Sequence, residues 1–119
     1  MQAKRVLIVD DFEDGAQTLA NLLQLQGHTC ALTGTPLDAI AAVETFAPDI
    51  VLMEWRLRCG NAIGLASTLR ELSQRPLIVV ALSTADEPAG FRVREQLDAY
   101  LLKPATPRAL ERLFEIPSS

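Results

Sequence analysis

Unbroken runs of apolar residues, rich in β-branched types, set the strongest limit on how this chain can fold. They are RVLIV at 5–9, DIVLM at 49–53 and LIVVAL at 77–82. A run of this kind is typical of a strand buried on both faces, as the strands of a parallel sheet are. Two shorter candidates, TCALT at 29–33 and AYLL at 99–102, complete a set of five predicted strands. Helices must then cover both faces of the sheet.

Segments with a helical spacing of apolar residues lie between and after these strands. They cover 14–26, 36–46, 64–73, 87–97 and 106–115. The apolar stripes of the first two segments include Leu19, Leu23, Leu25, Leu37 and Val43. Thr35 and Thr106, each followed by proline, are the predicted N-caps, and Gly27 is the predicted stop of the first helix. The alternation of strands and helices predicts an α/β fold of five βα units around a parallel sheet.

Composition narrows the class of protein. The 119 residues, 49% of them hydrophobic, are enough for one domain, which we expect to cover 1–119. No apolar run reaches the roughly 18 residues of a membrane helix, and the N-terminal sequence MQAKRVLIVDD turns acidic too early for a signal peptide. We therefore expect a cytoplasmic protein with no membrane contact. The formal net charge of −4 argues against direct binding to nucleic acid.

The cysteines and the histidine give no sign of a metal or disulfide site. Cys30 and Cys59 form no CxxC pair, so reduced thiols are expected in a cytoplasmic protein. His28 is the only histidine of the chain and is predicted to be a loop residue rather than a metal ligand.

Polar and charged residues follow the predicted strands at their carboxyl ends. Asp10 and Asp11 follow the first strand, Glu54 the third, Ser83 the fourth and Lys103 the fifth. The carboxyl ends of parallel strands meet at one edge of the sheet, which is where open α/β sheets bind ligands. Each residue alone has an ordinary explanation: an acidic pair can cap a helix, and a serine can simply lie in a loop. Their shared location favours a common site.

The chemistry of this set suits a phosphoryl group beside a divalent cation. Three carboxylates, Asp10, Asp11 and Glu54, would repel one another unless a cation such as Mg²⁺ joined them, and Mg²⁺ prefers oxygen ligands. A lysine can pair with phosphate as a point charge, and a serine hydroxyl can donate to a phosphoryl oxygen. Lys103 and Ser83 are the candidates for these two roles, and Mg²⁺ is the implied cofactor.

Four motifs together resemble the receiver domain of bacterial two-component response regulators. They are VLIVDDFED, PDIVLMEWRL, VALSTA and AYLLKP, and the resemblance covers about 4–115. The family resemblance implies a flavodoxin-like, doubly wound five-stranded parallel sheet with the strand order 2-1-3-4-5. It also implies a phosphorelay signalling module, with no independent enzymatic activity.

The family resemblance implies a role for each residue that matches a family motif. Asp10 and Asp11 would form the acidic Mg²⁺ pocket, with Asp11 as a direct ligand, and Glu54 would lie at the phosphoacceptor position beside them. Lys103 would pair with the phosphoryl group, while Ser83 and Tyr100 would act as the switch residues. The switch would alter a surface within 87–115, through which a histidine kinase, a downstream effector or a second copy of the chain would bind.

The sequence departs from the family pattern most clearly at position 54. The family has an aspartate there, whereas this chain has Glu54. The following loop, RLRCGNAIG, lacks the usual proline, and its glycine, Gly64, comes about two residues late. The segment EQLDAY before the switch aromatic also lacks the usual Gly-Ala pair.

Glu54 admits several interpretations. It can mimic a phosphorylated aspartate, or it can belong to a phosphorylation-independent protein-binding module. In that module the old pocket survives as a scaffold, and Glu54 can form a salt bridge with Lys103. The alternative is a conventional Mg²⁺-dependent receiver that a histidine kinase phosphorylates at Glu54 or at a nearby acid such as Asp11. An artificial substitution at position 54 would be a further explanation, which the altered loop beside it disfavours.

Overall fold

The computed structural model describes residues 3–56, 62–83 and 97–115. Its strands are β1 (Arg5–Val9), β2 (Thr29–Thr33), β3 (Ile50–Glu54), β4 (Ile78–Ser83) and β5 (Ala99–Leu102). Its helices are α1 (Glu13–Leu25), α2 (Pro36–Thr45), α3 (Ala62–Leu72) and α4 (Pro107–Leu113). The helix predicted over 87–97 falls outside the described residues except for Leu97, which is not helical. None of the helices in the described ranges is long and apolar enough to span a membrane.

The five strands form one parallel sheet in the order β2-β1-β3-β4-β5. This confirms the fold class and the strand order expected from the sequence. The chain runs outward from β1 in one direction to β2 and in the other to β3, β4 and β5. The strand order therefore reverses beside β1, and the carboxyl ends of β1 and β3 border the crevice where such sheets bind ligands.

Apolar side chains alternate between the two faces of the sheet and build a core on each. On one face, residues such as Leu7, Met53 and Val79 pack against α2 and α3. On the other face, residues such as Ile8, Leu52 and Val80 pack against α1 and α4. Strands with buried residues on both sides produce the unbroken apolar runs seen in the sequence. The predicted helices on both faces are confirmed.

Helix ends follow the predicted signals closely. The Thr35 hydroxyl accepts a hydrogen bond from the Asp38 N–H at 3.1 Å, and Thr106 does the same for Ala109 at 3.1 Å. A proline occupies the first turn after each of these caps. Gly27, just after α1, has a φ of 96°, a conformation that glycine adopts without strain.

Two leucines assigned to buried stripes by their spacing are instead exposed. Leu25 is the last residue of α1, and Leu37 lies in the first turn of α2. Leu19, Leu23 and Val43, nearer the middle of the same helices, are buried as expected. Leu25 and Leu37 lie two residues from the buried Leu23 and Ala39, and two residues turn an α-helix through about 200°. Both leucines are therefore on the side of the helix away from the sheet, and their assignment to the buried stripes was wrong.

His28 lies in the loop before β2, as predicted, but it is buried, with only 4% of its surface exposed. Its Nδ1 accepts a hydrogen bond from the backbone N–H of Lys4 at 3.0 Å. The imidazole stacks on the Phe114 ring, with 4.0 Å between centroids, and its Nε2 is buried without a hydrogen-bond partner among the described residues. The ring therefore joins the start of β1 and the end of α4 at the edge of the sheet opposite the polar residues.

The stability of the protein should fall on mild acidification because of His28. Burial lowers the pKa of His28, and the charge of Lys4 lowers it further. The unfolded chain therefore binds the proton more readily, so stability is complete above the ordinary histidine pKa of about 6.5 and declines as pH falls below it. We expect the free energy of unfolding in urea to drop more between about pH 7.5 and about pH 5.5 in the native protein than in His28→Asn.

Asparagine is the matched substitution because its side-chain oxygen can still accept from Lys4 N–H but does not titrate. Equal losses of the free energy of unfolding in the native protein and in His28→Asn over this pH range would show that His28 does not couple protonation to folding.

Candidate functional site

The predicted polar residues meet at the carboxyl edge of the sheet. Asp10 directly follows β1, Glu54 and Ser83 are the last residues of β3 and β4, and Lys103 directly follows β5. Asp10, Glu54 and Ser83 are buried. The predicted end of β3 at Met53 was one residue short, because Trp55 N–H still donates to Leu82 O at 2.8 Å and so continues the ladder through Glu54. The strand itself therefore positions this carboxylate.

Lys103 links two of the three predicted acids. Its Nζ lies 2.8 Å from Asp10 Oδ2 and forms an ion pair with Glu54 Oε2. Both contacts are ion pairs, and the contact with Asp10 also has hydrogen-bond geometry. The Lys103 backbone N–H donates to Ser83 O at 2.8 Å, which fixes the start of the side chain at the end of β4. One ammonium thus neutralises part of the charge of two buried carboxylates.

Asp10 also shapes the backbone that leads into α1. Its Oδ1 accepts a hydrogen bond from the Phe12 N–H at 2.9 Å. Phe12 occupies the N-cap position of α1 but has no side-chain oxygen, so Asp10 binds an amide there instead. Asp10 thus has two structural contacts, because one carboxylate oxygen supports the turn and the other contacts Lys103.

The second oxygen of Glu54 has a local partner. Glu54 Oε1 accepts from the Arg56 N–H at 3.2 Å, two residues further along the chain. This contact holds the carboxylate at the beginning of the loop whose remaining residues, 57–61, lie outside the described part of the chain.

The Lys103 ammonium remains charged well into the alkaline range. Burial alone would lower the pKa of Lys103, but hydrogen bonds and charges from Asp10 and Glu54 outweigh burial and raise it above the ordinary lysine value. Stability from this ion pair is therefore complete below the ordinary pKa of lysine. It declines as pH rises through the higher pKa of the folded state.

The acids do not fit a divalent metal ion in this arrangement. Among residues 3–56, 62–83 and 97–115, no three His, Cys, Asp or Glu side chains are grouped so that they could hold one. Asp10, Asp11 and Glu54, the predicted ligands, are thus not grouped as one such cluster, and Lys103 contacts two of them, Asp10 and Glu54. Asp11 is only partly buried and lines a groove of about 920 Å³ with Glu13 and Asp38.

The two predicted switch residues occupy different environments. Ser83 is buried at the carboxyl edge, whereas Tyr100, in the outermost strand β5, is 38% exposed. Tyr100 lines a shallow groove of about 660 Å³ together with Arg108 and Arg112 of α4. Of the predicted partner surface, 87–115, the structure describes 97–115.

An apolar pocket next to Lys103 was not predicted from the sequence. It encloses about 480 Å³ between α1 and the turn after β5, and its lining includes Phe12, Leu19, Leu82 and Ala105. Gly15 permits this arrangement, because a Cβ there would lie 2.9 Å from Phe12 Cδ1. The sequence signal for this pocket was Phe12, an apolar residue at an N-cap position, where a polar residue is usual.

Comparisons with known sequences agree with this architecture. The response regulator receiver domain family matches residues 6–115. The DNA-binding response regulator MtrA of Mycobacterium tuberculosis is 30% identical over 107 residues, which cover 90% of this chain and 47% of the relative. The phosphate regulon transcriptional regulatory protein PhoB of Pseudomonas aeruginosa is 30% identical over 113 residues, covering 92% of this chain and 49% of the relative. This chain spans about half the length of these curated relatives.

Solved structures show the same likeness. A CheY-like receiver domain from Methylobacillus flagellatus has a TM-score of 0.89 and 28% identity, with 96% of this chain and 98% of that chain covered. The N-terminal domain of a response regulator/sensory box/GGDEF protein from Carboxydothermus hydrogenoformans has a TM-score of 0.82 and 32% identity, with 94% of this chain and 91% of that chain covered. The chain belongs to the response regulator receiver domain family.

Proposed function

We propose that this chain is a receiver module of a two-component signalling system that acts by binding other proteins, without phosphorylation at position 54. Glu54 replaces the phosphoacceptor aspartate in this proposal, and the domain is not an enzyme. The observation that carries the proposal is the ion pair between Glu54 and Lys103. The lysine expected to pair with a phosphoryl group is already bound to the side chain that would have to receive that group.

Side-chain length supports the absence of efficient phosphorylation. The extra methylene of glutamate places its carboxylate about 1.5 Å further from the backbone than that of aspartate. Phosphoryl transfer requires in-line positioning, and an error of about 1 Å can slow it on the order of 100-fold. The Oε1 contact with Arg56 N–H and the Oε2 contact with Lys103 also engage both oxygens that could attack.

The exposure of Tyr100 supports a scaffold rather than a full mimic of the phosphorylated state. In the switch implied by the family resemblance, the aromatic moves inward when the site is phosphorylated, whereas Tyr100 is exposed here. A glutamate also brings about one negative charge, against about −1.5 to −2 and three oxygens for a phosphate group. Of the two interpretations of Glu54, we therefore favour the phosphorylation-independent module.

The partner surface in this proposal is 87–115, of which the structure describes 97–115, with β5 and α4. Tyr100 and Leu102 are exposed on β5. Arg108 and Arg112 of α4 line the shallow groove together with Tyr100. This combination suits a protein partner that offers apolar and acidic groups, such as a kinase or an effector. The formal charge of −4 argues against direct contact with DNA by this chain. A cytoplasmic location belongs to the same proposal.

Intact-mass spectrometry after treatment with acetyl phosphate and Mg²⁺ tests the proposal. We expect the mass of the native protein to stay unchanged, because Glu54 is misplaced for in-line attack and is bound to Lys103. A stable phosphoryl adduct mapped to Glu54 or Asp11 would favour the conventional phosphoaccepting receiver and contradict our proposal.

A further inference from the structure

We propose that the Lys103 ammonium is the resident cation of the acidic pocket and keeps divalent metal ions out of it. Removing this one charge should then create a Mg²⁺ site from acids that otherwise do not bind metal. The inference concerns metal affinity alone, and its test includes no phosphoryl donor, so its outcome is separate from that of the proposed function.

All four oxygens of the two buried carboxylates have partners. Asp10 Oδ2 and Glu54 Oε2 contact Lys103 Nζ. Asp10 Oδ1 accepts from Phe12 N–H, and Glu54 Oε1 accepts from Arg56 N–H. Mg²⁺ requires near-octahedral oxygen coordination at about 2.0–2.1 Å and gives up its water reluctantly. An ion bound to Oδ2 or Oε2 would lie next to the Lys103 ammonium, so it must either displace that ammonium or bear the repulsion between two cations.

Displacing the ammonium is unfavourable because of what surrounds it. The Lys103 side chain is 25% exposed, and its backbone is fixed to Ser83 O. On one side it borders a largely apolar pocket, which Leu19, Leu82 and Ala105 line together with the polar residues Asp14 and Thr18. Asp10, whose side chain is 2% exposed, would also lose the partner that neutralises it. Moving the Lys103 ammonium away from the two carboxylates to admit Mg²⁺ is therefore unfavourable.

Glu54 strengthens this competition because its side chain reaches Lys103. A shorter aspartate would withdraw the carboxylate by about 1.5 Å and weaken the ion pair. The ammonium would then be held mainly by Asp10. We infer that the exchange of aspartate for glutamate changes the cation of the pocket, from a metal ion supplied by the solvent to a side chain of the protein itself.

Mg²⁺ titrations followed by Trp55 fluorescence and by calorimetry test this inference. Trp55 is the only tryptophan and adjoins Glu54, so it reports on the pocket, while calorimetry detects binding that leaves fluorescence unchanged. We expect no saturable binding to the native protein at millimolar Mg²⁺. Lys103→Gln should bind at least about tenfold more tightly, because a positive charge next to the ligands is gone. Lys103→Arg, which keeps the charge, should stay as weak as the native protein.

Lys4→Gln is the matched control, since Lys4 is the only other lysine and precedes β1 at the opposite edge of the sheet. It changes net charge equally and should not gain Mg²⁺ binding. Circular dichroism without metal checks that each variant is folded. Should Lys103→Gln not fold, Mn²⁺ broadening of the native amide resonances around Asp10 and Glu54 replaces it; we expect none at millimolar Mn²⁺.

Two outcomes would overturn the inference. One is native protein that binds Mg²⁺ as tightly as Lys103→Gln, or that shows Mn²⁺ broadening confined to the pocket. The other is a folded Lys103→Gln that gains no Mg²⁺ affinity, which would mean that something other than the lysine charge keeps the ion out.

Discussion

Glu54→Asp should raise the rate of phosphorylation of position 54 by acetyl phosphate and Mg²⁺ by on the order of 100-fold. The shorter side chain moves the carboxylate back toward β3, to the distance at which the family places its acceptor. It also loosens the ion pair with Lys103, which leaves the ammonium free to meet an incoming phosphoryl group. Both effects of the substitution act in the same direction.

The backbone and the neighbouring residues that this gain in phosphorylation rate requires are already in position. Glu54 belongs to the central strand β3, whose ladder with β4 continues to Trp55 N–H, so the backbone at position 54 should not move on substitution. Ser83 ends the neighbouring strand, and Lys103 is fixed to it by a backbone hydrogen bond. The expected gain in phosphorylation rate therefore requires a change in the side chain at position 54 only.

A time course of intact mass for the native protein, Glu54→Asp and Glu54→Gln measures this prediction. Glu54→Gln is the matched control, because it keeps the length and shape of glutamate but cannot form an acyl phosphate. Peptide mapping should place the adduct of Glu54→Asp at position 54. A folded Glu54→Asp that remains unmodified would show that the loss extends beyond the acceptor, to other parts of the site.

The sequence was enough to predict which residues meet at the site. In a parallel sheet, the residue after each strand is brought to one edge by the backbone alone, whatever its side chain does. Asp10, Glu54, Ser83 and Lys103 could therefore be placed together from strand positions. The strand order came from the family resemblance, because apolar runs identify strands but not their neighbours.

The partners of each side chain could not be predicted in the same way. Lys103 was expected to face a phosphoryl group or, if the pocket is only a scaffold, Glu54. It contacts Glu54 and also Asp10, and the contact with Asp10, which depends on side-chain reach, was not predicted. His28 was expected in a loop, which is correct, but its burial follows from the stacking on Phe114, a residue distant in sequence. Such contacts depend on packing between elements and leave no periodic signal.

Lys103→Met should lower the free energy of unfolding by about 2–4 kcal/mol near neutral pH. Methionine keeps an apolar stem beside Leu82 and Ala105, so the loss comes mainly from the charge. Without the ammonium, Asp10 and Glu54 stay buried with no positive partner among the described residues, and the two carboxylates repel each other. Removing one partner of a buried ion pair typically costs about 3–5 kcal/mol, and the 25% exposure of Lys103 reduces that figure.

Urea unfolding of Lys103→Met and of Lys4→Met, the other lysine of the chain, separates this effect from a change in net charge. Lys4→Met should lose less than about 1 kcal/mol, the usual range for a charge near the protein surface. In the native protein, the contribution of the ion pair should disappear on the alkaline side, as pH rises through the raised pKa of Lys103. A difference between the native protein and Lys103→Met that stays the same above that pKa would trace the loss to packing, and the ion pair would then have no measurable role in stability.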